Sequence, residues 1–115
     1  MTELVALHSV LRPGRAEGYD AAHERIPEDL IEAHRRAGIQ DWRIWRSGHD
    51  LFHLVECDDF GAAMRSLESE PANRRWQAVI GEYVDHFRVT SSGTLPLPLV
   101  WRMRDQIETT SSNGG

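Results

Sequence analysis

The order of elements legible in this 115-residue sequence is β-α-β-β-α-β, which predicts an α+β domain built on one antiparallel sheet. Three observations carry that expectation. A β-branched first segment stops at a Pro-Gly turn, two aromatic-rich strands are joined by a short glycine-containing loop, and two longer stretches repeat apolar residues every three or four positions.

Glu3 to Arg12 is rich in aliphatic residues and ends at Pro13-Gly14, so it predicts the first strand. From Arg15 to Ala37, Tyr19, His23, Ile26, Leu30, His34 and Ala37 fall on one face of a helix, and Gly38 closes it in the usual C-terminal position. Pro27 lies four residues after His23 and cannot donate to its carbonyl, so the helix is expected to kink or loosen beside that histidine. Asp41 to Arg46 and Leu51 to Glu56 flank Ser47-Gly48-His49-Asp50 and predict a β-hairpin. Asp58 or Asp59 is placed to cap a helix running to about Ser69. Pro71 then opens a helix expected to reach about Phe87, with Trp76, Val79, Ile80, Tyr83 and Phe87 on one stripe.

After the Ser91-Ser92-Gly93 loop, Leu95 to Met103 is read as the last strand, with Pro96 and Pro98 confined to an edge or its start. Residues 1–105 are expected to form a single domain, and residues 106–115 a disordered tail of mainly Thr, Ser, Asn and Gly. This is the split βαβ order of ferredoxin-like domains, a four-stranded antiparallel sheet with helices on one face. The other face needs covering, and the simplest cover is a second copy of the chain, a homodimer.

Composition narrows the function classes. With 40% hydrophobic and 27% charged residues the chain is globular, and a formal charge of -5 without a basic cluster excludes a nucleic-acid footprint. A single cysteine, Cys57, allows no intramolecular disulfide. No basic-then-apolar start marks a signal peptide, and no apolar run approaches the ~20 residues that span a bilayer. The expectation is a cytoplasmic protein with neither a membrane nor a nucleic-acid partner.

Several residues invite a chemical reading. Tyr19 and His23 stand one helical turn apart on the inward stripe, either as a satisfied core pair or as part of a site. Trp42 and Trp76 offer flat faces and N–H donors that suit a pyranose ring, or they are simply large core residues. The other histidines show no metal signature, so no metal site is expected. Arg74-Arg75 and Arg35-Arg36 read as solvated surface or as a clamp for a hydroxyl or carboxylate. Phosphate loops, nucleophile elbows and Cys/His nucleophile patterns are missing.

The string Tyr19-x-x-x-His23 with Ile26 and Pro27-Glu28 before Leu30 resembles the L-rhamnose mutarotase family. Gly38 leading into Asp41-Trp42-Arg43-Ile44-Trp45, the strand Leu51 to Glu56 and the segment Asn73-Arg74-Arg75-Trp76 extend the resemblance over about residues 3 to 104. The resemblance implies a dimeric α/β barrel that interconverts the α and β anomers of a six-deoxy L-sugar, L-rhamnose or L-fucose, without cofactor or metal. It also implies that His23 is the proton donor and that Tyr19, Trp42, Arg75 and Trp76 line the sugar. Trp42 stands where the family has tyrosine, and Arg75 where it has the first of two tryptophans. Pro27 is shifted by one position from the family's proline.

Such chemistry requires a proton delivered to the ring oxygen and another removed from the anomeric hydroxyl. Imidazole, with an ordinary pKa of about 6.5, is the side chain nearest to serving both directions. The sequence leaves His53, Glu56 or water open as the second group. Two alternative functions belong to other classes: a cofactor-free monooxygenase on the same barrel, and a non-catalytic module that binds a small metabolite.

Overall fold

In a computed structural model, which describes residues 2–114 and side chains as far as residue 109, the sheet contains four antiparallel strands in the order β2-β3-β1-β4. Strand β1 (Glu3–Leu11) sits inside it, between β3 (Asp50–Cys57) and β4 (Val84–Phe87). Strand β2 (Ile39–Ser47) forms one edge. Val5, Leu7, Ser9 and Leu11 are buried alternately along β1, and Leu51, His53, Val55 and Cys57 along β3. The register sets Val5 beside Val55 and Val55 beside Trp42, so one cross-strand row runs under the helices.

Where one helix is expected between Arg15 and Ala37, the structure has two: α1 (Ala16–Ala22) and α2 (Glu28–Arg36). His23 is the last, capping residue of α1, and Pro27 precedes the first turn of α2. Proline removes the N–H that would bond the carbonyl of residue 23, and it disfavours helical backbone at Ile26. The kink expected at Pro27 is therefore a complete break. Glu28 and Asp29 in the first turn of α2, and His34, Arg35 and Arg36 in its last, complement the helix dipole. Gly38 follows at φ +87°, a left-handed conformation that ends the helix, and its carbonyl accepts the N–H of Asp58 at 2.9 Å.

Asp59 caps α3 (Phe60–Glu68) by accepting the N–H of Ala62 at 3.0 Å, and Pro71 opens α4 (Pro71–Ile80). Helix α4 stops at Gly81, short of the expected Phe87, and residues 84–87 instead form β4 against β1. The Leu95 to Met103 segment is accordingly not the last strand. It touches the sheet through the Leu97 N–H, which donates to the Ala6 carbonyl at 2.8 Å. Helix α5 (Met103–Gly114) begins at the end of the segment read as the last strand and runs through residues 106–114 of the expected disordered tail, while residue 115 lies outside the described residues.

The helices cover one face of the sheet with two apolar clusters. One packs Ala33 of α2 and Ala63 and Leu67 of α3 on Val5, Val55 and Cys57. The other packs Tyr19 of α1 and Ile80 of α4 on Leu11 and Leu51. Leu51 and Val55 are wholly buried, and full burial of such a side chain stabilises the fold by about 1.5–3 kcal/mol. On the opposite face Trp45, Phe52 and His8 form a row across β2, β3 and β1, with Trp45 54% exposed.

Candidate functional site

The break between α1 and α2 leaves a cleft of about 880 Å³ between the helices and the sheet. Four of the five residues singled out by resemblance line it: Tyr19, His23, Trp42 and Trp76. The tilted rings of Tyr19 and His23 have centroids 4.1 Å apart, and His23 meets Trp76 edge-on at 5.2 Å. Arg75 is not brought to the cleft. It projects from the exposed side of α4 and forms an ion pair with Asp29 of α2, one helical position away from the inward-facing Trp76.

Local bonding defines the chemistry of His23. Its Nδ1 lies 2.9 Å from the Tyr19 carbonyl. A carbonyl only accepts, so Nδ1 carries a proton, and Nε2 is the ring nitrogen left without a partner among the described residues. Asp20, next to Tyr19, ties α1 to β2 through two bonds from Arg46, Nε to Oδ1 at 2.9 Å and a terminal nitrogen to Oδ2 at 2.7 Å. Those bonds hold the Asp20 carboxyl below its ordinary pKa, and the charges of Arg46 and His23 act in the same direction.

Tyr19 is only 4% exposed, and burial, with a smaller contribution from Asp20, pushes its phenol up to about 12. Near neutrality it is a hydrogen-bond donor and not a base. The structure also restricts Trp42. Its Nε1–H donates to His53 Nδ1 at 3.1 Å, so this indole presents its ring to the cleft while its N–H is engaged within the protein.

His53 completes a buried chain that sequence spacing did not disclose. Because Nδ1 accepts from Trp42, neutral His53 carries its proton on Nε2, which lies 2.9 Å from the Ser9 hydroxyl. Ser9 is wholly buried and His53 is 6% exposed. Burial, then the nearby His23 and His8, push the His53 pKa down to about 4. Of the two protein groups left open as a second proton acceptor, Glu56 does not line the cleft, and both ring nitrogens of His53 are occupied. The polar lining also includes His34, Asn73 and Gln77, none singled out as a ligand from the sequence. Among the described residues no group of three or more His, Cys, Asp or Glu side chains is arranged to hold a metal ion.

Fold and site together define a ferredoxin-like α+β domain with three histidines, a phenol and two indoles around one cleft. The family model described as L-rhamnose mutarotase matches residues 4–103. The chain belongs to the L-rhamnose mutarotase family, and so to a family of isomerases that act on carbohydrates. An L-rhamnose mutarotase of Sinorhizobium medicae is 31% identical over 111 residues, covering 89% of this chain and 99% of that protein. The solved L-rhamnose mutarotase of Formosa agariphila superposes with a TM-score of 0.69 at 17% identity, over 88% of this chain and 98% of that one. The fold is also shared with tetracenomycin F2 cyclase, a type-II polyketide cyclase of Streptomyces glaucescens. That structure gives a TM-score of 0.60 at 18% identity, over 87% of this chain and 95% of the other.

Proposed function

We propose that this chain interconverts the α and β anomers of L-rhamnose, with L-fucose as the other six-deoxy L-sugar to be compared. The observation that carries the reading is the state of His23: Nδ1 is tied to the Tyr19 carbonyl, and Nε2 is left to a cleft walled by Tyr19 and Trp76. In its protonated form His23 donates from Nε2 to the ring oxygen as the C1–O5 bond breaks, and takes the proton back when the ring closes on the other face of C1. Tyr19 donates a hydrogen bond to a sugar hydroxyl, while the rings of Trp76 and Trp42 supply apolar surface for the C–H faces and the 6-methyl group. Arg75 acts in this account through its bond to Asp29, which ties α4 to α2.

The test is exchange NMR on the anomeric protons of both sugars at near-neutral pH in dilute buffer. The wild-type protein is expected to accelerate exchange, and the ratio of rates between L-rhamnose and L-fucose assigns the sugar. Unaltered exchange for both sugars rejects the reading.

The same reading includes a homodimer formed through the sheet face opposite the helices, supported by the exposed Trp45 and Phe52 in its cross-strand row and by the exposed apolar Leu99 and Val100 beyond the sheet. Light scattering is expected to give twice the chain mass, and the monomer mass for Trp45→Glu. A monomeric wild type at micromolar concentration contradicts it. A cytoplasmic setting is in keeping with the single, free and buried Cys57. Among the described residues no helix is long and apolar enough to cross a membrane.

A further inference from the structure

Mutarotation moves two protons, and the cleft holds a second imidazole mounted in the same way as the first. His34 lies in the last turn of α2, half-buried, and lines the cleft. Its Nδ1 is 2.8 Å from the Leu30 carbonyl, one turn back, just as the Nδ1 of His23 is 2.9 Å from that of Tyr19. Both rings therefore carry the Nδ1 proton, and in the neutral form each keeps its lone pair on Nε2. Among the described residues neither Nε2 has a hydrogen-bond partner.

The other groups around the cleft do not match this arrangement. His53 has both nitrogens occupied, and Trp42, an indole, offers no acceptor. Trp42 instead meets the His34 ring edge-on at 5.8 Å and buttresses it. Of the lining carboxylates, Asp41 is bonded to Arg43 at 2.7 Å and Glu68 lies on the exposed last turn of α3. Carboxylates as a class are also weaker bases than imidazole by about two pH units.

We propose that His34 is the second proton-transfer group of this cleft, its Nε2 taking the proton of the anomeric hydroxyl while His23 supplies one to the ring oxygen. The inference rests on the mutarotase reading above. As the O1–H bond breaks toward His34, its electron pair forms the C1=O bond. The C1–O5 pair moves to O5, which takes the proton from His23. Rotation about C1–C2 and the reverse transfers close the other anomer and restore both histidines, so no proton is gained or lost.

Exchange NMR on L-rhamnose, with the wild-type protein, His34→Ala and His34→Leu, separates the possibilities. Both variants are expected to lose about 10²-fold or more in exchange rate, the usual contribution of a general base. Their sugar affinity by line broadening is expected to stay within a few-fold of the wild type. Added imidazole should restore the rate of His34→Ala above that of imidazole and sugar alone. His34→Leu fills the place of the ring against Trp42 without a titrating nitrogen, so it controls for packing. Wild-type exchange in His34→Leu overturns this assignment alone, leaving the mutarotase reading intact. No acceleration by the wild-type protein overturns both.

Discussion

The indole Nε1–H of Trp42 donates to Nδ1 of His53 at 3.1 Å, and that one bond sets the state of two residues in the cleft wall. It leaves His53 neutral, with its proton on Nε2 toward the buried Ser9 hydroxyl, and it withdraws the indole N–H from any ligand. Trp42 consequently contributes shape and apolar surface.

The first prediction concerns stability against pH. The His53 pKa lies at about 4 in the folded protein, below the ordinary 6.5, so the unfolded chain binds more protons between these values. The contribution is complete above about pH 6.5 and is lost as pH falls toward 4, by roughly 3 kcal/mol at a conversion of about 1.4 kcal/mol per pH unit. Urea unfolding at pH 7.5 and pH 4.5 should show this slope in the wild type and a flatter one in His53→Gln. Glutamine can accept from Trp42 and donate to Ser9 without titrating. Equal slopes would place the titration elsewhere.

Gly18 supplies a packing prediction. A Cβ at this position would lie 2.6 Å from Cε1 of Tyr83, inside van der Waals contact with a ring whose own backbone carbonyl accepts the Arg12 N–H at 2.8 Å. Gly18→Ala gains helix propensity but must displace that ring, and overpacking of this kind costs about 1–3 kcal/mol. A lowered melting temperature is expected. An unchanged or raised one would show that Tyr83 moves freely.

Tyr19→Phe removes a hydroxyl that stays protonated near neutrality, with a pKa that burial raises further to about 12. The ring packing on Leu11 and Ile80 is kept, so the fold should persist. Sugar affinity should fall by about 2- to 13-fold, the worth of one hydrogen bond of about 0.5–1.5 kcal/mol. Titration calorimetry showing wild-type affinity would remove the phenol from the account.

Arg75→Ala breaks an exposed ion pair with Asp29, and such pairs contribute between 0 and about 1 kcal/mol. Since the side chain stands outside the cleft, the expected change in sugar affinity is less than about twofold, well below the 0.5–1.5 kcal/mol of a direct hydrogen bond. A loss of tenfold or more would restore the direct contact that resemblance implies.

These predictions draw unevenly on what the sequence discloses. A disturbance beside His23 is legible because proline's missing N–H is a local fact, but the spacing of Tyr19, His23 and His34 reads as one kinked helix where the structure has two. The end of α4 is harder to read. Trp76, Ile80, Tyr83 and Phe87 keep a helical period straight through Gly81, although the last of them lies in a strand. Only pairing of residues 84–87 with β1 decides between the two, and that is a long-range event. The Ser9–His53–Trp42 chain depends on three strands meeting in one register, so no spacing along the sequence reveals it. The outward turn of Arg75 depends likewise on where Asp29 lies across the helix pair.

The most direct test of the central claim is the rate of α/β exchange of L-rhamnose, by anomeric-proton NMR, in the wild-type protein and in His23→Ala. His23 is half-buried at the end of α1, so its truncation should leave the fold standing. The account predicts accelerated exchange in the wild type and a fall of about 10²- to 10⁴-fold in the variant, the range for loss of a general acid. Accelerated exchange of equal rate in both proteins would contradict it.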